Sequence, residues 1–156
     1  MFDKRTIAAS LRTEAAKREF HLLYGGTERT AAEQADRYEA LLTTYAEHFG
    51  CEGEAPAFFS SPGRTEIVGN HTDHNNGLVL AAAVTLDTLA AAAPTGDGII
   101  TLYSQGYDKP FVVDTRDLEK KEAEKNTTDA LIRGVCRKLH DMGYAIGGFN
   151  AAVTSC

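Results

Sequence analysis

The chain has 156 residues, 43% of them apolar and 24% charged, which is the makeup of one soluble globular domain and not of a disordered or fibrous protein. Its formal charge is −6 with no dense Lys/Arg cluster, so the basic stripe of a nucleic-acid binder is missing. The three cysteines, at 51, 136 and 156, show no CxxC spacing, so a reducing cytoplasm is expected rather than a disulfide framework or structural zinc. Residues 1–11 carry Asp and Arg where a signal peptide needs an apolar run, and no stretch reaches the ~18 consecutive apolar residues of a membrane span.

In chain order, residues 4–24 read as a helix ended by Gly25-Gly26. Thr30 with Glu33 reads as a capping box opening a second helix. Its apolar stripe is Ala31, Ala35, Tyr38, Leu42, Tyr45 and Phe49, and Gly50 is its stop. Short strands follow, at 57–61 and 66–68 on either side of Pro62-Gly63. Asn75-Asn76-Gly77 signals a tight turn, since Asn and Gly tolerate positive φ at low cost. Strands at 84–92 and 99–103 flank Thr95-Gly96-Asp97-Gly98, predicting a hairpin, and 111–113 adds another strand. The charge run at 117–125 mixes both signs and reads as solvated surface. A helix over 128–142 lines up Leu131, Val135, Leu139 and Met142 on one face, with Gly143 as its stop. Residues 149–154 make a last strand. The fold class is α+β with a mixed, mostly antiparallel sheet; residues 1–54 form a helical segment and 55–156 the domain proper. A domain that stops on a strand is also expected to be cut short.

One stretch carries chemistry. Residues 61–77 gather Arg64, Glu66, Asn70, His71, Asp73, His74, Asn75 and Asn76 around Gly63, Gly69 and Gly77. Short polar side chains on a loop held by strands suit a polyhydroxylated ligand: carboxylate and amide oxygens accept from hydroxyls, while amide and imidazole N–H groups donate. A guanidinium beside them steadies charge on a phosphoryl group in transfer. The blander reading stands beside it, because Asn, Asp and Gly cluster in turns for conformational reasons and an Arg–Glu pair is often a surface salt bridge. His21, His48 and His140 sit in or near helices as structural or surface residues, and Tyr103, Tyr107 and Tyr144 read as packing.

Pro62-Gly63-Arg64 through Asn76-Gly77, continuing to Leu80-Ala81, resembles the galactokinase signature of the GHMP kinase superfamily, in which Gly-Arg and a short strand lead into Gly-Glu-His-x-Asp-Tyr-Asn-Gly-Gly. The resemblance runs over 57–156, with Asp87 after an alanine-rich strand and 128–135 in the place of the adenine-side helix. It implies the superfamily's N-terminal domain and transfer of phosphate from ATP, with Mg2+, to the anomeric hydroxyl of galactose. On that basis Arg64 is the catalytic arginine near the anomeric oxygen, and Asn70, His71 and Asp73 bind the sugar. Asn70 stands where the family has a glutamate; its amide accepts without the charge assistance that roughly doubles such a bond. His74 stands for a tyrosine, and the tryptophan common near Thr128 is missing. The family's phosphate loop is expected after Cys156, and neither GxxxxGK[ST] nor GxGxxG occurs in its stead. The chain alone is therefore expected to be inactive, and its incomplete domain to self-associate through exposed apolar surface.

Two other readings compete. A silent relative would bind sugar as a sensor or regulator without turnover. A metallohydrolase would use His71, Asp73 and His74, but the preceding ligand position is Gly69 and only His140 with Asp141 lies downstream.

Overall fold

The computed structural model of the chain describes residues 1–69 and 75–155. It begins with three helices, α1 (Lys4–Ser10), α2 (Glu14–Tyr24) and α3 (Glu28–Phe49). The single helix expected over 4–24 is broken, because Thr13 caps a new start with its hydroxyl accepting from the Ala16 N–H at 3.3 Å. Gly25 ends α2 as expected, at φ 65°. Helix α3 starts a turn earlier than the Thr30–Glu33 box predicted. Its cap is Thr27, whose N–H donates to Thr30 Oγ at 3.3 Å, while Glu33 pairs with Arg29 at 2.8 Å instead. The predicted stripe of Ala31, Ala35, Tyr38, Leu42 and Tyr45 is buried, Phe49 packs against the same core, and Gly50 closes the helix.

Among the described residues five strands follow: β1 (Ala57–Val68), β2 (Leu80–Thr95), β3 (Ile99–Ser104), β4 (Phe111–Asp114) and β5 (Gly148–Ser155). Their spatial order is β1-β2-β5-β3-β4, with β3 and β5 parallel and the other three pairs antiparallel, which is the α+β mixed sheet expected. Two expectations change. The pieces at 57–61 and 66–68 are one continuous strand that runs through Pro62-Gly63. The turn at 95–98 forms, with Asp97 Oδ1 accepting from Thr95 Oγ at 2.7 Å and from the Ile99 N–H at 2.9 Å, but no β2–β3 hairpin results. Strand β5 lies between the two. It enters at Gly148, where a Cβ would come within 2.5 Å of the Ile99 backbone, so only a glycine fits.

Alternation along β2 and β5 sends Leu89, Ala91, Ala93 and Ala152 under α1–α3, into one core with Phe20, Tyr38, Leu41 and Tyr45. Leu42 and Leu89 are fully enclosed, and burial of each contributes about 1.5–3 kcal/mol. Helix α4 (Thr128–Asp141) sits on the other face, over Ile100, Val113 and Phe149. Its roll differs from the expected one. Leu131, Val135, Leu139 and Met142 are exposed, and the inward side carries Cys136 and Arg133. Arg133 is held there by Glu124, at 2.7 and 2.8 Å, and by the Asp117 carbonyl. Across β1, β2, β5 and β3 runs an apolar trough of about 590 Å³ whose lining includes Phe59, Ala92, Leu102 and Phe149. Among the described residues no helix is long and apolar enough to cross a membrane.

Candidate functional site

The segment singled out from sequence lies at the outer end of the β1–β2 ribbon. Ala57 to Pro62 pair in register with Ala92 to Asp87; the pairing then resumes as Arg64 with Ala83 and ends as Val68 with Leu80. Between Pro62 and Arg64 β1 advances two residues while β2 advances four, so β2 carries a bulge opposite Gly63. A Cβ at Gly63 would stand 3.1 Å from the Leu86 carbonyl oxygen and 3.3 Å from Val84 Cγ2, closer than the bulge readily allows. The bulge and its glycine therefore fix where Arg64, the next residue, leaves the strand.

Arg64 is presented to solvent, with its side chain 74% exposed. Its Nη2 lies 3.4 Å from Glu66 Oε1, two residues on along the same face. A pair this long and this exposed holds the guanidinium weakly, leaving its planar fork free to meet an anion. At the tip of the ribbon Gly69 has φ 86°, and a Cβ there would come within 2.1 Å of the Leu78 carbonyl oxygen. The backbone at Gly69 thus closes on the backbone at Leu78, which only glycine permits. Asn76 adopts φ 60°, the left-handed conformation that the Asn75-Asn76-Gly77 signal called for. Asn70, His71, Asp73 and His74 lie outside the described residues. Of the predicted site residues the structure therefore places Arg64, on β1. Of the aromatic and histidine residues read as structural, His48 stacks on Tyr103 with ring centroids 3.6 Å apart and Tyr107 packs edge-on against Phe111, while Tyr144 is exposed.

Asp87 is a residue whose partners the sequence did not reveal. It lies opposite Pro62 and is buried, its side chain 2% exposed, at the inner edge of the bulge. Its Oδ2 accepts from Ser60 Oγ of β1 at 2.5 Å and from the Tyr24 hydroxyl of α2 at 2.7 Å, and its Oδ1 is 2.6 Å from Arg37 Nη2 of α3. With its proton committed to Asp87, Tyr24 accepts from the Tyr38 hydroxyl at 3.0 Å. Burial alone would raise the Asp87 carboxyl, but hydrogen bonds from Ser60 and Tyr24 and the ion pair with Arg37 outweigh it and hold the group below its ordinary value. Burial pushes the Tyr24 hydroxyl up, so it remains a donor. The readable signal was a single carboxylate in an alanine-rich run; its partners, 63, 50 and 27 residues away, were not readable.

The arrangement offers an exposed guanidinium on a ribbon whose two strands close on each other at Gly69 and Leu78. Among the described residues no group of three or more His, Cys, Asp or Glu side chains comes together to hold a metal ion.

Residues 43–94 match the family model described as the galactokinase galactose-binding signature. The chain is similar to the galactokinase of Lactococcus lactis subsp. lactis, 37% identical over 109 residues that cover 69% of this chain and 27% of that protein. It is likewise similar to the Bacillus subtilis galactokinase, 32% identical over 108 residues with the same two coverages. The chain thus spans about a quarter of the length of these curated relatives. Among solved structures, the Lactococcus lactis galactokinase complexed with galactose superposes with a TM-score of 0.67 at 31% identity, over 76% of this chain and 31% of that one. The Methanococcus jannaschii mevalonate kinase shares the fold at a TM-score of 0.50 and 13% identity, over 67% of this chain and 33% of that one.

Proposed function

This chain belongs to the galactokinase family of the GHMP kinases, and from that premise we propose that it supplies the sugar-binding part of an ATP-dependent galactokinase acting on the anomeric hydroxyl. The observation that carries the proposal is Arg64, exposed on β1 within the stretch that matches the galactose-binding signature. In this reading Arg64 stands near the anomeric oxygen and balances charge on the transferred phosphoryl group. Asn70, His71 and Asp73 hold the sugar hydroxyls, each pair of donor and acceptor fixing one stereocentre. Residues 1–54 act as the helical segment and 55–156 as part of the domain proper.

ATP and Mg2+ belong to the proposed activity, but the described residues do not fit them: they bring together neither a glycine-rich phosphate loop nor a cluster of metal-ligating side chains. Three cysteines without CxxC spacing and an acidic composition without a Lys/Arg cluster support a cytoplasmic setting.

The test is an ATP-dependent assay of the full-length protein against galactose, glucose, mannose and arabinose. The proposal expects galactose to give the highest kcat/KM. Turnover of none of these sugars would defeat it. Calorimetric binding of galactose without turnover would favour the silent sensor, the reading to which Asn70 in place of the signature glutamate points.

A further inference from the structure

Among the described residues two charged side chains are buried, Asp87 and Arg133. They are placed quite differently with respect to the ribbon. Arg133 ties α4 to Glu124 and the Asp117 carbonyl on the far face of the sheet. Asp87 is the first buried residue met along β2: Leu80 to Ala83 are exposed, as are Thr85 and Leu86. Burial then alternates from Asp87 to Ala93. Beyond Asp87, toward Arg64 and Gly69, the described residues of the ribbon include none that is buried to hold its angle. The one group at that boundary joined to α2, α3 and β1 at once is the Asp87 carboxylate, through Tyr24, Arg37 and Ser60.

We propose that Asp87 is a positioning residue: its clamp on Ser60, Tyr24 and Arg37 sets the angle at which the ribbon presents Arg64. The proposal rests on the kinase reading for its functional consequence, though not for its structural one. The carboxylate acts through the bulge. With β2 fixed at Asp87 and β1 fixed at Ser60, the bulge opposite Gly63 has one fixed end. Arg64 follows two residues after Pro62, the partner of Asp87. Loosening that end moves the guanidinium by a fraction of the ribbon's length, and a misplacement of about 1 Å at a transfer site costs on the order of 100-fold in rate.

The experiment compares Asp87→Asn and Ser60→Ala with Glu124→Gln, which disrupts the other buried ion pair, all in the full-length protein. Thermal midpoints are measured first, and turnover is then compared at temperatures of equal folded fraction. The clamp predicts that Asp87→Asn loses kcat by about 10- to 100-fold. Ser60→Ala, which removes the hydrogen bond that the carboxylate accepts from β1, should lose less in the same direction. Glu124→Gln should keep its turnover despite a lowered midpoint. Equal turnover in Asp87→Asn and Glu124→Gln at matched folded fraction would overturn the proposal. Hydrogen exchange of the same proteins reads the clamp without any activity. Faster exchange in 63–69 and 78–86 for Asp87→Asn, with 148–155 unchanged, supports it even if no sugar is phosphorylated and the kinase reading fails. Unchanged exchange in those two segments would overturn it.

Discussion

From Ala57 to Ser61 the first strand pairs with the stretch of β2 that alternates buried and exposed over the helical layer, whereas from Arg64 to Val68 its partners, Leu80 to Ala83, are all exposed. The inner half owes its order to packing: Leu89, Ala91 and Ala93 sit under Tyr38, Leu41 and Tyr45. The outer half owes its order to backbone geometry, namely the bulge at Gly63, the closure at Gly69 and the left-handed Asn76. One half therefore tolerates exposed polar chemistry because the other carries the stability. That separation predicts that mutations in the two halves fail in different ways.

The largest effect is expected in the inner half. Leu89 is fully buried, and Leu89→Ala removes its packing and leaves a cavity, costing about 2–5 kcal/mol. Denaturant unfolding of the full-length protein should show that loss, while kcat of the molecules still folded stays near the original. The complementary change is Arg64→Ala at the exposed end. Turnover should fall on the order of 100-fold or more, with the midpoint of unfolding little changed. If Leu89→Ala lowered kcat of the folded fraction, or Arg64→Ala lowered stability, the two halves would not be separate.

Gly69→Ala should fall next. A side chain at φ 86° with a backbone oxygen in its path stores about 1–3 kcal/mol of strain locally, so galactose binding by calorimetry should weaken more than the unfolding midpoint falls. The smallest effect is with pH. The Asp87 carboxyl is held below its ordinary value, so the stability it contributes is fully present above the unfolded-state value of about 3.9 and is lost as pH falls through its folded-state value. Asp114 loses its own contribution lower still, since Arg116 beside it holds that carboxyl at about 2. The difference in midpoint between wild type and Asp87→Asn should therefore be constant above about pH 5 and narrow below about pH 4. A difference that widened on acidification would mean that Asp87 is not ionised in the folded protein.

The sequence was most legible where local chemistry decides. The α3 stripe, the glycine stops at 25, 50 and 143, and the turn at Asn76 all follow from properties of one residue or one helical period. It was less legible where a distant segment decides. The 95–98 turn forms as written, yet β5, some fifty residues later, takes the place beside β2 that a hairpin would give to β3. The roll of α4 turns Ile132 and Cys136 onto the sheet and Arg133 onto Glu124, and leaves the leucine stripe outside. The start of α3 slipped because Thr27 and Thr30 are both competent caps, and Thr27 adds another turn of helix. In the candidate site, Arg64 could be singled out because the signature is contiguous. The grip of Asp87 was not, because Tyr24, Arg37 and Ser60 come from three other elements.

The most direct measurement is phosphorus NMR of galactose and ATP incubated with full-length wild-type protein and with Arg64→Ala, beside calorimetry of galactose binding. The account predicts galactose 1-phosphate from wild type, a rate on the order of 100-fold lower from Arg64→Ala, and galactose binding retained by both. Galactose 1-phosphate formed by Arg64→Ala at the wild-type rate would contradict the assignment of Arg64, and its absence from the wild-type reaction would contradict the kinase reading itself.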